Sequence, residues 1–319
     1  MKLVVLDAYA ANPHELSSNP FHEFGEVVIY DKTSKTQTIS RIADADMVFT
    51  NKTSIRKEVF DACPNIKYIG LFSTGYNVVD IEEAKARGIV VANVPEYSTN
   101  AVAQQTIAFM LEFYNRISKY NDEVKTGAWE ECANNCFYNG GIHEMCGKTL
   151  GLIGFGNIAK KVAEIAKSFD MNILVYSRTI YPEFESEHLK FVSFENMLSQ
   201  SDIISIHCPL FTETKGLINK NAISLMKESA ILINTARGAI IVEEDVANAL
   251  NDNKISGYGA DVASYEPIKQ DNPLLKAKNC VLTPHIAWGA TETRSRLLEI
   301  MLSNIRAYLA GTPQNNVAK

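Results

Sequence analysis

The chain has 319 residues, of which 46% are hydrophobic and 21% are charged, and its formal net charge is -6. Its length fits about two folded domains, and its acidic balance argues against a surface for nucleic acid or anionic lipid. Because Asp7 interrupts the first apolar run and no later run reaches membrane-spanning length, we expect a cytoplasmic protein without a membrane partner.

The first ninety residues alternate short β-rich runs with helical segments. Strands are predicted at residues 2–6, 27–30, 47–50, 68–72 and 89–94. Helical segments such as 53–62 and 80–87 separate these strands. The alternation is typical of a parallel α/β sheet.

A long helical pattern at residues 99–120 follows, and then an irregular arm at residues 126–147. We place the end of the first domain near Ser98. Cys132 and Cys136 lie in the arm, but the cysteines of the chain lack the paired C-x-x-C spacing of zinc sites. We therefore interpret them as reduced thiols and expect no metal site.

A glycine-rich turn lies near the middle of the chain, where Gly154, Gly156 and Ala159 have the spacing G-x-G-x-x-A. A buried strand is predicted before the turn, and a helix with apolar residues at helical spacing is predicted after it. Gly154 would permit the tight turn, Gly156 would let the backbone approach a phosphate, and the helix N-terminus would attract the negative charge. The motif indicates a dinucleotide site, although such turns also join strands to helices for purely structural reasons.

A second α/β series begins at this turn. Its strands are predicted at residues 173–176, 203–207, 230–234, 257–261 and 280–283, and a final helix is predicted at residues 291–310. The series predicts a second doubly wound parallel sheet.

Three residues that can carry chemistry lie at or just beyond the ends of these strands, where open α/β sheets bind their ligands. They are Arg237, Glu266 and His285. A guanidinium can hold a carboxylate through two hydrogen bonds, and a carboxylate beside an imidazole favours its protonated form. Taken singly, such residues are more often surface ion pairs or packing residues, whereas together beside a dinucleotide site they indicate a reductase.

Several runs carry a resemblance to a known family. They are the glycine turn at residues 154–159, Asn-Thr-Ala-Arg-Gly at 234–238, Asp261 with Glu266 and Pro267, and Pro-His-Ile-Ala-Trp at 284–288. Through these runs, and through residues 73–80, nearly the whole chain resembles the D-isomer-specific 2-hydroxyacid dehydrogenases. Within that family, the run at 266–275 leading into 285–288 is most similar to glycerate dehydrogenases, also called hydroxypyruvate reductases.

The resemblance implies a particular arrangement of two doubly wound parallel-sheet domains. A Rossmann-like dinucleotide-binding domain, residues 99–288, is inserted in a discontinuous flavodoxin-like substrate domain, residues 1–98 and 289–319. The substrate is expected in the cleft between them. The resemblance also implies a homodimer that forms through the helix and arm at residues 99–147.

The resemblance further implies a mechanism, in which a 2-oxo acid accepts a hydride from reduced nicotinamide and a proton from His285. Glu266 would favour the charged imidazole and fix its tautomer, and Arg237 would hold the substrate carboxylate and carbonyl oxygen. Backbone N–H groups around Thr74 and Gly75 would supply further carboxylate contacts. Residues implied to contact the cofactor are Thr106, Gly154, Phe155, Gly156, Asn157, Ile158, Cys208, Pro209, Thr214, Thr235, Ala236, Arg237, Asp261 and His285. Among these, Asp261 would orient the nicotinamide carboxamide.

The choice between NAD and NADP is expected to depend on residues about 20 positions past the glycines, at the end of the next strand. Ser177, Arg178 and Thr179 stand there, and no carboxylate is present. A guanidinium between two hydroxyls is a good site for a 2′-phosphate, which favours NADP(H) over NAD(H). The alternative is that Arg178 points to solvent or stacks on adenine while the enzyme uses NAD.

Asn51 and Lys52 are candidates for the wall of the substrate pocket. A polar wall suits the hydroxyl of hydroxypyruvate, or glyoxylate, better than a branched apolar side chain, because buried polar groups would otherwise be unpaired. D-lactate or a bulkier D-2-hydroxyacid is the alternative substrate. A dinucleotide-sensing protein without turnover is the alternative of another class, and the complete set of Arg237, Glu266 and His285 favours catalysis over it.

Overall fold

The chain divides into two compact units in a computed structural model that describes residues 1–10 and 20–319. One unit joins Met1–Tyr97 to Gly289–Lys319, and the other is Ser98–Trp288. The second unit is inserted in the chain of the first, so the first unit is discontinuous. Which unit binds substrate and which binds the dinucleotide stays a prediction at this point.

The elements of the described residues follow the α/β alternation that the sequence predicts. The strands are β1 (Lys2–Val5), β2 (Glu26–Ile29), β3 (Met47–Thr50), β4 (Tyr68–Leu71), β5 (Val90–Ala92), β6 (Thr149–Ile153), β7 (Asn172–Tyr176), β8 (Leu189–Phe191), β9 (Ile203–Ile206), β10 (Ile231–Asn234), β11 (Gly257–Ala260) and β12 (Cys280–Leu282). The α-helices are α1 (Thr38–Ile42), α2 (Lys57–Ala62), α3 (Ile81–Ala86), α4 (Thr99–Asn115), α5 (Ile117–Lys125), α6 (Asn157–Lys167), α7 (Phe194–Gln200), α8 (Lys220–Ser224), α9 (Glu243–Asn251) and α10 (Thr291–Leu309).

The first unit is built on a parallel sheet with the strand order β2-β1-β3-β4-β5. This is the flavodoxin-like order, which reverses direction between β1 and β3. Strands β3 and β4 are buried along their whole length, as expected for a parallel sheet whose two faces are both covered.

The terminal helix α10 returns to this first unit. Leu297, Met301 and Ile305 form its buried stripe, and the ring of Tyr308 lies 4.9 Å from that of Tyr68 in β4. The side-chain amide of Asn304, also buried, donates to the backbone oxygen of Asn93 at 3.0 Å. These contacts make α10 part of the same core as the sheet of the first unit.

The second unit is built on a parallel sheet with the order β12-β11-β10-β9-β6-β7-β8. Strand β6 lies between β9 and β7. The chain first winds outward from β6 through β7 and β8, and then returns to the other side of β6 and winds outward from β9 to β12. Helix α4 packs against α6 and against strand β10 on one face. Together the two sheets confirm the predicted fold class, a Rossmann-like unit inserted in a discontinuous flavodoxin-like unit.

The prediction of a single helix at residues 99–120 is wrong. Helix α4 ends at Asn115, and α5 begins at Ile117, because Arg116 between them has a left-handed φ of 52°. The guanidinium of Arg116 donates from Nε to the oxygen of Gly141 at 3.1 Å, which ties the break to the arm. A hydrogen bond between residues 25 positions apart cannot be read from helical periodicity.

Among the described residues, no helix combines the length and the apolar composition that crossing a bilayer requires. The cytoplasmic location stays a prediction.

Candidate active site

The carboxyl ends of the strands in the second unit meet at one edge of its sheet. The glycine turn follows β6, and residues 177–179 follow β7 next to it. On the other side of β6, the chain leaves β9 at His207, β10 at Thr235 and β11 at Asp261. Ligands of open α/β sheets bind where the strand order reverses, which here is the point between β6 and β9.

The glycine turn has the backbone geometry that a pyrophosphate site requires. Gly154 has a positive φ of 91°, and its N–H donates to the oxygen of Tyr176 at 2.8 Å. A Cβ on Gly154 would lie 2.9 Å from the backbone nitrogen of Cys208, whereas a Cβ on Gly156 would meet nothing within 4 Å. The backbone beside Gly156 therefore faces open space at the N-terminus of α6, where the helix dipole favours an anion.

A cavity of about 740 Å³ lies beside the strand end at residues 177–179. It is lined by Arg178, Leu210, Phe211, Thr212, Glu213 and Lys215. The Arg178 guanidinium lies over the Phe211 ring, 5.6 Å from its centroid. Sequence reasoning found Arg178 but missed Phe211 and Lys215, which belong to the loop after β9, on the other side of β6.

The residues that follow β9 are held by local hydrogen bonds and by burial. The Thr214 hydroxyl donates to the oxygen of Pro209 at 2.7 Å and accepts from the N–H of Phe211 at 2.7 Å. Burial lowers the pKa of His207 to about 4 and raises the pKa of the Cys208 thiol to about 11. Both side chains are therefore neutral near pH 7, and Cys208 is not a thiolate nucleophile there.

Thr106 in α4 and Thr235 after β10 meet through their hydroxyl oxygens at 3.0 Å. Thr106 is fully buried, and its hydroxyl is also 2.9 Å from the oxygen of Val102. Beyond Thr235, the N–H of Ala236 donates to the buried side chain of Asn234 at 3.0 Å. These bonds fix the backbone that leads to Arg237.

Asp261 organises the loop that carries His285. The Thr283 hydroxyl donates to its Oδ1 at 2.6 Å, and the N–H groups of Ile286 and Ala287 donate to its two oxygens at 2.8 and 2.7 Å. His285 itself has a left-handed φ of 58°, which is uncommon for a residue other than glycine. The bonds to Asp261 on both sides hold His285 in that conformation.

His285 and Glu266 form a direct pair, with 2.7 Å between Nδ1 and Oε2. Because a carboxylate only accepts hydrogen bonds, Nδ1 carries a proton and Nε2 is the nitrogen that can exchange a proton with a ligand. The other oxygen of Glu266 accepts from the N–H of Ala263 at 3.3 Å. The pair therefore has the orientation of a general acid and the group that positions it.

Arg237 emerges from the end of β10, and Asp261 and His285 follow the next two strands of the sheet, β11 and β12. The guanidinium is exposed, and its Nη1 donates to the oxygen of Ala236 at 2.7 Å. Gly238 permits a close backbone approach here, because a Cβ on it would lie 1.9 Å from the carbonyl carbon of Ala263. The chain after β10 is thus packed against the loop that leads to Glu266.

In the first unit, Asn51 and Lys52 follow β3 and are held by a buried carboxylate, Asp7. Its oxygens accept from the N–H groups of Asn51, Lys52 and Thr53, at 2.7, 2.7 and 2.8 Å. The Asn51 side chain is buried and donates to the oxygen of Phe72 at 3.1 Å, whereas Lys52 is exposed. Sequence reasoning missed Asp7, although its place two residues after the end of β1 was a signal.

Thr74 and Gly75, the other predicted substrate contacts, follow β4. The Thr74 hydroxyl donates to the oxygen of Val94 at 2.7 Å, and the Ser73 hydroxyl donates to the oxygen of Gly75 at 2.6 Å. The turn is therefore ordered by its own side chains. In the described residues, no group of three His, Cys, Asp or Glu side chains is placed to hold a metal ion.

The second unit combines a glycine turn at the reversal point of a doubly wound sheet with the hydrogen-bonded pair of His285 and Glu266 at the same edge. This combination defines the class of nicotinamide-dependent oxidoreductases. The residues present fit a dinucleotide, since the open side of Gly156 and the cavity beside Arg178 flank the same pair of strands, β6 and β7.

Comparison with known proteins narrows the class to a family. A family model described as "D-isomer specific 2-hydroxyacid dehydrogenase, NAD binding domain" matches residues 107–287. A hydroxypyruvate reductase from Blautia hydrogenotrophica is 46% identical over 322 residues, covering 100% of both chains. A glycerate dehydrogenase from Methylorubrum extorquens is 34% identical over 319 residues, covering 99% of this chain and 98% of that one.

A solved structure agrees with these relatives. It is an acyclic imino acid reductase in complex with NADPH and D-Arg, with a TM-score of 0.87, 31% identity, and coverage of 99% of this chain and 100% of that one. The chain belongs to the D-isomer specific 2-hydroxyacid dehydrogenase family, which confirms the resemblance in the sequence. It is an oxidoreductase with a nicotinamide cofactor.

Proposed function

We propose that the protein reduces hydroxypyruvate to the D-2-hydroxy acid, or glyoxylate to glycolate, which is achiral. The observation that carries the proposal is the 2.7 Å hydrogen bond between His285 and Glu266 at the edge of the sheet that also carries the glycine turn. The similarity to relatives named hydroxypyruvate reductase and glycerate dehydrogenase supports the choice of substrate.

In this mechanism the bound reduced nicotinamide supplies a hydride for the carbonyl carbon of the substrate. His285 donates a proton from Nε2 to the carbonyl oxygen, on which negative charge develops as the carbon is reduced. Glu266 accepts a hydrogen bond from Nδ1 and so keeps the ring oriented with Nε2 towards the substrate. In the oxidative direction the same nitrogen accepts the proton from the hydroxyl.

Arg237 is proposed to hold the substrate carboxylate, since a guanidinium matches a carboxylate with two parallel hydrogen bonds. Its exposed position at a strand end leaves it accessible to a ligand. Lys52 and the backbone of Thr74 and Gly75 are proposed as further substrate contacts. Asn51 contributes through the backbone of the same loop, because its side chain is buried against Phe72.

We propose that the cofactor is NADP(H) rather than NAD(H). Two cations, Arg178 and Lys215, and one carboxylate, Glu213, line the cavity beside β7, and Phe211 provides an aromatic face for an adenine. No carboxylate stands at the strand end itself, at residues 177–179, where a ribose 2′-hydroxyl would be bound in an NAD enzyme. The excess of positive charge favours a 2′-phosphate.

Substitution of Arg178 tests this choice. Arg178→Ala is expected to lower kcat/KM for NADPH by about 10-fold or more and to change kcat/KM for NADH little, since one charge-assisted contact contributes about 1.5–3 kcal/mol. Arg306→Ala, at an exposed ion pair in α10, is the control. A wild-type preference for NADH, or unchanged NADPH activity in Arg178→Ala, would contradict the NADP assignment.

We also propose a homodimer that forms through α5 and the arm that follows it. Large apolar side chains stand exposed along this stretch, namely Ile117, Val124, Trp129, Tyr138 and Ile142. Several large exposed apolar side chains in one stretch of about 25 residues favour a surface that a partner covers.

The activity itself is tested by mixing the protein with NADPH or NADH and a panel of 2-oxo acids, and following the absorbance of the reduced nicotinamide. We expect the highest kcat/KM with hydroxypyruvate or glyoxylate. His285→Gln is expected to lower kcat by about 10²–10⁴-fold while cofactor binding is retained. The highest kcat/KM with pyruvate or a branched 2-oxo acid would assign the protein to the D-lactate or bulkier class. Tight cofactor binding without turnover across the panel would instead identify a dinucleotide sensor.

A further inference from the structure

An aromatic cluster surrounds the side chain of Lys160 in α6. Its Nζ lies 4.4 Å from the centroid of the Tyr181 ring and 4.6 Å from that of Phe184. Phe155 lies on a third side, at 5.8 Å. Each distance is within the range of about 6 Å over which an aromatic face attracts a cation.

The rings also hold one another. Phe155 meets Phe184 edge to face, with 5.3 Å between the centroids, and it meets Phe191 in β8 at the same distance. The Phe155 side chain is almost fully buried, at 3% exposure. The cluster is therefore a packed unit, and the Lys160 ammonium occupies a defined place against it.

The rings around Lys160 belong to two parts of the cofactor-binding edge. Phe155 stands between Gly154 and Gly156, inside the turn that would bind the pyrophosphate. Tyr181 and Phe184 belong to the segment that leaves β7 through Arg178. One ammonium thus contacts both the turn and the segment that carries the proposed 2′-phosphate ligand.

The next residue of α6, Lys161, forms an ordinary surface ion pair. Lys161 pairs with Glu164 at 2.9 Å, three residues further along α6. Over residues 1–10 and 20–319, no ion pair places a carboxylate on Lys160. Partial burial costs an ammonium some of its hydration, and here the aromatic faces offset that cost in place of a carboxylate.

We propose that Lys160 is a positioning residue that sets the selectivity for NADPH over NADH by holding the segment after β7 against the glycine turn. This inference rests on the proposed NADP preference. Lys160 need not touch the cofactor for this role. Arg178 precedes Tyr181 by three residues, so a contact that holds the Tyr181 ring also restricts where the backbone of Arg178 can lie. The pyrophosphate contacts are common to both cofactors, so the 2′-phosphate contact is the one that depends on the segment.

Dissociation constants for NADPH and NADH, measured by titration calorimetry with the intact protein, test the proposal. Lys160→Met keeps the length of the side chain and removes the charge. It is expected to weaken NADPH binding about fivefold, the size of one partly buried cation–π contact, and to change NADH binding less than about twofold. Lys160→Arg, which retains the cation, is expected to restore the wild-type ratio. Lys161→Met is the matched control and is expected to leave both constants unchanged.

The proposal is overturned if Lys160→Met weakens NADPH and NADH equally, or if it lowers the melting temperature with no change in their ratio. Arg178→Ala, measured in parallel, distinguishes a failure of the proposed NADP preference from a failure of the proposed role of Lys160. An unchanged ratio in Arg178→Ala contradicts the NADP preference itself. A ratio that is lost in Arg178→Ala but kept in Lys160→Met contradicts only the role of Lys160. If the proposal holds, adding Lys160→Met to Arg178→Ala causes no further loss of selectivity.

Discussion

At the scale of single residues, the site depends on groups whose hydrogen-bond partners determine their state. Glu266 fixes which nitrogen of His285 carries a proton, and burial keeps His207 and Cys208 neutral. The proposed acid, His285, is thus partly exposed and paired, whereas His207 and Cys208, which follow β9 at the same edge of the sheet, are desolvated. His285 is therefore open to a ligand, and His207 and Cys208 stay neutral near pH 7.

The proposed role of Glu266 predicts a loss of turnover. Glu266→Gln keeps the size of the side chain, but an amide can donate as well as accept, so it no longer fixes which nitrogen of His285 carries the proton. We expect kcat of reduction to fall by about 10²-fold or more while cofactor binding is retained. Glu244→Gln, an exposed substitution in α9, is the control. An unchanged kcat in a folded Glu266→Gln protein would remove Glu266 from this role.

Burial of His207 predicts a pH dependence of stability. The folded pKa of about 4 lies below the unfolded value of 6.5, so the unfolded chain binds more protons between these pH values. Stability is therefore full above pH 6.5 and falls as the pH drops towards 4. At about 1.4 kcal/mol per unit the loss is at most about 3 kcal/mol, and less because His207 keeps part of its surface accessible.

Urea unfolding at pH 7 and pH 5 measures this effect. His207→Gln is expected to show a smaller fall in the free energy of unfolding than the wild type over this interval, because it has no imidazole to protonate. His188→Gln makes the same change at an exposed position and serves as the control. Equal slopes for wild type and His207→Gln would show that His207 is not desolvated in the folded protein.

At the scale of elements, one side chain from the end of β11 determines the conformation of the loop after β12. Asp261 accepts hydrogen bonds from Thr283, Ile286 and Ala287, on both sides of His285. A left-handed conformation at a non-glycine residue costs about 1–2 kcal/mol, so such a loop needs these bonds to keep its shape. The imidazole of His285 is therefore positioned by a residue at the end of the neighbouring strand β11 as much as by its own strand, β12.

Thr283→Val tests this coupling without touching Asp261. The substitution keeps the shape of the side chain and removes the 2.6 Å bond to Asp261. We expect it to lower the stability by about 1–2 kcal/mol and to lower kcat more than it changes KM, because the imidazole loses its fixed position. Ser199→Ala, which removes an exposed side-chain hydrogen bond in α7, is the control. A normal kcat in Thr283→Val would mean that the remaining bonds to Asp261 suffice.

At the scale of the whole molecule, each unit has its own buried core, and the arm of the second unit carries large apolar side chains that remain exposed to solvent. Leu3, Ile69 and Leu297 are fully buried in the first unit, and Leu152 and Ile233 in the second. In contrast, Trp129 and Tyr138 remain 54% and 76% exposed. This difference is the physical basis for the proposed homodimer.

Sedimentation measurements over a range of protein concentrations test the dimer. The wild type is expected to sediment as a dimer, and Ile142→Lys to shift the equilibrium towards monomer, because a charge would be buried without a partner. Ile39→Lys changes an exposed apolar residue of α1 in the same way and is the control. A wild-type protein that stays monomeric at every concentration would contradict the proposal.

Local patterns were enough to predict the alternation of strands and helices, the glycine turn and the strand ends that carry Arg237 and His285. These features follow from side-chain periodicity and from glycine spacing, which are properties of neighbours in the chain. The discontinuous first unit was predicted by family resemblance, because periodicity contains no information on which sheet a terminal helix joins.

Tertiary structure decided the rest. The break at Arg116, the Asp7 and Asp261 networks and the cluster around Lys160 all join residues that lie far apart in the chain or belong to different elements. Their partners are chosen only when strands pair and the chain returns, since a hydrogen bond or a ring contact depends on distance in space. The sequence therefore predicted which residues would perform the chemistry, and the fold determined which residues hold them in place.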